Sequence, residues 1–159
     1  MFKVIDNYLT TKEHLQLNKV LGSNTFPWFF NEKKLLIDKG LFNFQFCHIF
    51  YVNHSINSDY FNALLPILNK LKPLALVRIK ANLNPPAEKI VESAYHKDQN
   101  FKCKAAIYYV NDNDGYTIID KEKVLSKKNR MVIFNATTQH VGTNSTNCKN
   151  RMVININYF

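Results

Sequence analysis

From Pro73 onward the chain runs as short apolar segments separated by turn residues, with no helical period among them. The segments lie at about 75–83, 92–97, 102–110, 116–120, 123–126, 131–135, 138–142 and 151–158. Eight strands so closely spaced are the pattern of a two-sheet jelly roll. Glycine, the usual turn residue, occurs only four times in the chain. Asn111, Asn113, Asn129, Asn144, Asn147 and Asn150 are therefore expected to take left-handed turn positions.

The first 74 residues read differently. Residues 2–5 form a short apolar strand. Thr10-Thr11-Lys12-Glu13 is a capping box, with Thr10 as N-cap and Glu13 three residues on. The helix it opens carries Leu15, Leu17, Val20 and Leu21, and Gly22 ends it. Residues 41–52 alternate, with Phe42, Phe44, Phe46, His48 and Phe50 on one side and Asn43, Gln45 and Cys47 on the other. That period of two is a half-buried strand. Ser58 can cap a second helix through Phe61, Leu64, Leu65, Leu68 and Leu71, which Pro66 should kink or shorten. The two helices are expected to cover the outer face of one sheet. The fold class is thus mainly β with flanking helices. We expect one domain over residues 1–159, with 1–74 as support and 75–159 as the jelly-roll core.

Composition narrows the classes. Apolar residues are 46% and charged residues 21% of 159, which excludes a disordered chain. No apolar run approaches the roughly 18 residues of a membrane span. Asp6 arrives before any apolar signal-peptide core can form. Cys47, Cys103 and Cys148 form neither a disulfide framework nor a CxxC pair, so a cytoplasmic setting is expected. The net charge is +9. It is spread, with 10 Lys/Arg against 5 Asp/Glu in residues 1–80 and 11 against 7 in 81–159. It also comes from 18 Lys beside 21 Asn and only 3 Arg. Such a Lys/Asn bias arises from base composition, so charge alone is a weak argument for nucleic acid.

The chemistry concentrates in His96-Lys97-Asp98. In an extended chain residues i and i+2 face the same side, so His96 and Asp98 can grip one ion while Lys97 points away. Taken alone, the plain reading is a strand-end His with a turn Asp. His140 changes the balance, because it opens a later strand that a jelly roll can lay beside His96. Two His and one carboxylate occupy one face of an octahedron and leave three positions open, which suits non-haem Fe(II) chemistry. Arg151 then opens the apolar last strand. A guanidinium aimed into a barrel needs an anion, and a bidentate carboxylate partner would contribute about 2 kcal/mol. No HExxH, GxSxG or Cys–His nucleophile pattern occurs.

With these residues in this order, the sequence resembles the Fe(II)/2-oxoglutarate-dependent dioxygenases, and among them the prolyl 4-hydroxylase-like branch. Ala106-Ile107-Tyr108-Tyr109-Val110-Asn111-Asp112 is similar to the strand and turn after the HxD motif. Met131-Val132-Ile133-Phe134 followed by His140-Val141 is similar to the strand entering the distal His. The likeness is strong over 75–159 and loose before it. It implies a double-stranded β-helix of eight strands, cupin-like. It implies His96, Asp98 and His140 as Fe(II) ligands, and Arg151 on the far carboxylate of 2-oxoglutarate. Tyr109 would hydrogen-bond that carboxylate, with Tyr108 facing the other way. Asn82 stands where relatives often place a cosubstrate-touching Tyr, on a face shared with Arg78 and Lys80. Val153 stands where many relatives carry Ser or Thr. The implied reaction consumes O2 and 2-oxoglutarate, releases succinate and CO2, and uses ascorbate as an accessory reductant. The implied substrate is a peptidyl proline, another peptide or a small molecule, with nucleic acid behind these. Two other classes remain: a non-catalytic metal-binding jelly-roll module, and a cupin-type zinc or manganese hydrolase or isomerase.

The other candidates favour structural roles. His14 is expected to face solvent, His48 to be a packed and hydrogen-bonded residue, and His54 to sit in a polar loop. The cysteines read as apolar fillers. Phe26, Trp28, Phe29 and Phe30 read as core, or as the rim of a groove. Lys127, Lys128 and Arg130 read as a solvated turn. Residues 84–95, with Pro85 and Pro86, are long for a strand connection and could form a lid.

Overall fold

The computed structural model describes residues 1–34 and 44–159. Strand β1 (Lys3–Ile5) leads into helix α1 (Thr11–Leu21). Three strands follow, β2 (Phe29–Asn31), β3 (Gln45–Val52) and β4 (Ser55–Ile56). Helix α2 (Leu65–Leu71) precedes β5 (Leu76–Asn84). The rest is all strand: β6 (Lys104–Tyr109), β7 (Tyr116–Ile119), β8 (Glu122–Leu125), β9 (Arg130–Asn135), β10 (His140–Gly142) and β11 (Arg151–Tyr158). Within the strand expected over 41–52, residues 41–43, Phe42 and Asn43 among them, lie outside the described residues.

The strands form two antiparallel sheets. The larger runs β1-β9-β6-β11-β5-β3-β2, with β4 paired to β3. The smaller runs β10-β7-β8. The expected strand at 92–97 is reduced to two isolated bridges, Glu92 to Thr143 and His96 to His140, beside β10. Four strands of the large sheet (β5, β11, β6, β9) therefore face β7, β8, β10 and this bridged segment. That is the double-stranded β-helix, with one of its eight strands held by two bridges.

Alternation decides what lies on each face of the large sheet. Ile79, Ala81, Ala106, Tyr108, Met131, Ile154 and Ile156 point outward and pack with Leu17, Leu21, Leu64, Ile67 and Leu68 of the helical layer. Ala105, Ile107, Tyr109, Val132, Phe134 and Val153 point inward and pack with Ile119 and Val124 of the small sheet. Tyr108 and Tyr109 thus lie on opposite faces, as neighbours in a strand must.

Helix α1 starts as its capping box requires. Glu13 N–H donates to Thr10 Oγ1 at 3.3 Å, and Thr10 N–H donates to the Glu13 carboxylate at 2.9 Å. Its phase differs from expectation: Leu15 is exposed and His14 is buried. The cause is a hydroxyl far away in sequence. Tyr108 O–H donates to Asn129 Oδ1 at 3.0 Å, so at 2.7 Å the His14 Nδ1–H must donate to Tyr108. The second helix begins as a single 3-10 turn at Phe61–Leu64 and turns α at Leu65, with Pro66 in the first turn, where its missing N–H costs nothing. Ser58 is not its cap: the N-cap is Tyr60, without a side-chain cap bond, and Ser58 Oγ accepts the Tyr60 N–H at 3.0 Å just ahead of the turn. His48 is packed as expected, between the Pro27 carbonyl at 2.8 Å and Ser58 Oγ at 2.6 Å.

Of the six turn asparagines only Asn129 is left-handed, at φ 59°. Asn113 instead bonds nearby backbone, its Oδ1 accepting the Gly115 N–H at 3.0 Å, while Asn111, Asn144 and Asn147 bond backbone distant in sequence. The hairpins use Asn53-His54 and Asp120-Lys121, both residues of each pair at positive φ, the conformation that matches strand twist. The basic turn is no free surface either. Arg130 Nε and Nη2 donate to the Asp6 carboxylate at 2.6 and 3.0 Å, and Lys127 adds a third bond at 3.1 Å. The Arg130 guanidinium holds the Asp6 carboxyl at about 2, clamping β1 to β9.

Burial lowers the His14 pKa below its ordinary value. The unfolded chain, with His near 6.5, then binds more protons than the native one below that pH. Stability is full above about pH 6.5 and falls as pH drops beneath it. We expect His14→Gln, which keeps an N–H for Tyr108, to lessen this fall. Urea midpoints measured on either side of roughly pH 6.5 test it; an unchanged difference would refute the role of His14.

Candidate active site

One cavity of about 240 Å³ opens between the two sheets. Its wall is built by the inward residues of β5 and β11, where Arg78, Lys80, Asn82 and Asn84 stand in register with Asn157, Asn155, Val153 and Arg151. The small sheet supplies Thr117 and Gly142, the residue after it supplies Thr143, and the bridged segment supplies Ser93 and His96.

At one end the structure brings His96, Asp98 and His140 together. One ligand atom from each lies within 4.8 Å of the others. Backbone pairing makes this convergence. His96 N–H donates to His140 O and His140 N–H to His96 O, both at 3.0 Å, which sets the two residues opposite each other. Asp98 N–H donates to Ala136 O at 3.1 Å and fixes the turn that follows. Each imidazole is then oriented by its own backbone. His96 Nδ1–H donates to Ala94 O at 3.2 Å, and His140 Nδ1–H to Thr138 O at 3.1 Å. Both Nε2 lone pairs are left for another partner. Burial, and the nearby His140, hold His96 below its usual pKa, in the neutral form a metal requires.

The Asp98 side chain is 4% exposed. Its Oδ2 accepts from Asn157 Nδ2 at 3.0 Å, while Oδ1 stands 3.8 Å from Arg78 and 3.7 Å from His140 Nε2. Distances of 3.7 and 3.8 Å exceed a hydrogen bond and leave Oδ1 facing His140 Nε2 and Arg78 without a completed contact. Two imidazole nitrogens and one carboxylate oxygen, converging on a cavity with open positions beyond, fit a divalent cation with N/O preference.

The other end is set by Arg151, which is 3% exposed. Its Nε–H donates to Ser126 Oγ at 2.9 Å and its Nη1–H to Thr143 O at 3.2 Å. Nη2 donates to Tyr116 O at 3.3 Å and Thr117 Oγ1 at 3.1 Å. Every partner is neutral, and among the described residues no carboxylate balances this buried charge. The Tyr109 ring lies 5.7 Å from the guanidinium carbon. Its hydroxyl faces Thr117 and Arg151 yet completes no hydrogen bond, and burial pushes its pKa up. Asn82 Oδ1 and Asn155 Oδ1 are likewise buried without partners. A cation and three unsatisfied polar atoms in and behind one cavity wall call for a polar, anionic ligand.

The structure thus brings the expected ligand trio and Arg151 to two ends of one cavity, with Asn82 on the wall and Tyr109 behind it. Residues 84–95 do not form a free flap. Val91 N–H donates to Asn144 Oδ1 at 2.7 Å and Ser93 N–H to Gly142 O at 3.1 Å, which sews the later half of this segment to the small sheet. Ser126, Thr117 and Thr143, which cradle Arg151, and Asn157, which holds Asp98, were not anticipated. The polar alternation of Asn155 and Asn157 with Ile154 and Ile156 in the last strand was the available signal for two inward amides.

No protein-family model matches the chain, and no curated protein matches it. Solved structures do. A prolyl hydroxylase from Trichoplax adhaerens, in complex with a hypoxia inducible factor oxygen degradation domain peptide fragment, superimposes with a TM-score of 0.68 at 14% identity, over 99% of this chain and 83% of that one. A 2OG-Fe(II) oxygenase family oxidoreductase from Burkholderia pseudomallei gives 0.74 at 8% identity, over 99% and 84%. The non-heme alpha ketoglutarate dependent epimerase of nogalamycin biosynthesis gives 0.69 at 14%, over 99% and 76%. The chain has the double-stranded β-helix fold of the 2OG-Fe(II) oxygenases, prolyl hydroxylases among them.

Proposed function

We propose that the chain is an Fe(II)- and 2-oxoglutarate-dependent dioxygenase. One observation carries this reading: a cavity with a two-His, one-carboxylate cluster at one end and a buried, unbalanced guanidinium at the other. In it, His96, Asp98 and His140 hold ferrous iron, which supplies oxygen activation coupled to decarboxylation of 2-oxoglutarate to succinate and CO2.

The chain's own residues do the positioning. Ala94 O and Thr138 O keep the Nδ1 protons, so each imidazole presents Nε2. Asn157 Nδ2–H fixes one Asp98 oxygen and turns the other toward the cation. Arg151 binds the far carboxylate of 2-oxoglutarate, using its remaining Nη1–H, and Tyr109 O–H donates to the same group. Four neutral acceptors hold the guanidinium in place beforehand, so little side-chain entropy is lost on binding.

The substrate we propose first is a prolyl residue in a peptide, supported by the likeness to the prolyl hydroxylase fold. A small-molecule substrate is second, supported by the likeness to the epimerase. The reading is tested by incubating the protein with Fe(II), 2-oxoglutarate and oxygen, with and without proline-containing peptides, and following succinate. Succinate formed above the protein-free rate is expected. Metal bound but no succinate under any condition would instead mark a metal-binding jelly-roll module. In the described residues no helix is long and apolar enough to cross a membrane.

A further inference from the structure

The cavity wall carries more positive charge than iron and 2-oxoglutarate account for. Arg78 and Lys80 stand two residues apart on β5, so both point inward. Asp98 is the one carboxylate among the described residues lining the cavity. Arg78 Nη2 lies 3.8 Å from it. The Lys80 ammonium makes no hydrogen bond or ion pair among the described residues. Like charges side by side on one strand face repel. Burial, and then Arg78, lower the Lys80 pKa below the ordinary range, so an anion there would relieve both.

With a cation bound, Asp98 gives its charge to the metal and Arg78 loses its balance. In the reading above, the two charges of 2-oxoglutarate are answered by iron and Arg151. Among the described residues, Arg78 and Lys80 are then two cations without a counter-charge, and Asn155, directly across from Lys80, keeps a buried Oδ1 without a partner. Resting on the oxygenase reading, we propose that Arg78 and Lys80 form an oxyanion subsite for the primary substrate, which carries a carboxylate or a phosphate close to the reacting carbon. A prolyl peptide would answer this pair only where a carboxylate or phosphate stands beside the proline; its neutral form would leave the pair unanswered.

The test uses the full chain loaded with Mn(II), which stands in for iron without turnover, and with 2-oxoglutarate. Inorganic phosphate, N-acetyl-L-proline and its neutral amide are titrated separately by calorimetry at constant ionic strength. We expect at least one of the two anions to bind, and the acid to exceed the amide if the group is a carboxylate. Lys80→Met should weaken that anion by about tenfold or more, Lys80→Arg should restore it, and the exposed control Lys102→Met should change nothing. Affinity for Mn(II) and 2-oxoglutarate should stay within about threefold in every variant. The proposal is overturned if neither anion binds, if Lys80→Met binds as well as wild type, or if Lys80→Met loses 2-oxoglutarate. Wild-type protein that fails to take up Mn(II) or 2-oxoglutarate would refute the oxygenase reading instead. The anion titrations on the unloaded protein would then decide the subsite alone.

Discussion

Replacing Arg151 by alanine is expected to raise the 2-oxoglutarate concentration for half-saturation by about a hundredfold or more. Each charge-assisted hydrogen bond to a buried carboxylate contributes roughly 1.5–3 kcal/mol, and this guanidinium also supplies the charge that makes burial of an anion tolerable. Arg151→Lys keeps the charge but loses the Nη1–H and the four-acceptor cradle that aims it, so its defect should be nearer tenfold. Equal defects in the two variants would argue against a carboxylate at this end. Mn(II) affinity, measured in parallel, should be unchanged in both, since the ligand cluster is at the opposite end of the cavity.

Gly115 offers a separate handle on the same group. A Cβ there would stand 2.6 Å from Arg151 Cδ and would also strike the Asn144 carbonyl. Backbone cannot yield as a flexible side chain can. Gly115→Ala should therefore displace the guanidinium stem and raise the 2-oxoglutarate requirement with every hydrogen-bonding group still present. If Gly115→Ala leaves 2-oxoglutarate binding as in wild type, the placement of Arg151 against this turn is wrong.

What is legible in the sequence follows from how local the cause is. Phe50 and His48 are buried together because a strand alternates, and alternation is written in adjacent letters. Thr10 and Glu13 cap α1 because both partners lie within one turn. His96 and Asp98 share a side for the same reason, and only their meeting with His140 requires the fold. The failures are long-range. His14 is buried because of the Tyr108 hydroxyl, 94 positions away, while Leu15, the better apolar residue, faces water. Arg130 looks like part of a basic turn until Asp6, 124 positions earlier, is brought beside it. The cradle of Arg151 draws on Ser126, Tyr116, Thr117 and Thr143, four ordinary residues made specific only by one guanidinium between them. The segment 92–97 is a third kind of case: only Ala94 and Tyr95 of its six residues are apolar, and only Glu92 and His96 find bridge partners.

The largest effect is expected at the ligand cluster itself. Mn(II) at about 100 times its dissociation constant should stabilise the wild-type fold by about 2.7 kcal/mol, or roughly 5–10 °C for a chain of this size. His140→Ala and Asp98→Ala should abolish that shift and lower ferrous affinity, measured anaerobically, by more than about a hundredfold, since even outer-shell changes cost ten- to a hundredfold. Asp98→Asn separates the two roles this carboxylate could have. As a structural residue it would accept the Asn157 N–H and balance Arg78. The amide keeps an acceptor for Asn157 but no charge for Arg78 or a cation. A structural Asp98 would therefore show as a lower melting temperature without metal, with the Mn(II) shift intact. A ligand would show the reverse: a metal-free protein about as stable as wild type, relieved of one buried charge, and no shift on adding Mn(II). The buried setting favours the second pattern, because an ionised carboxylate that is 4% exposed and 3.8 Å from its nearest guanidinium nitrogen is poorly repaid by that ion pair alone.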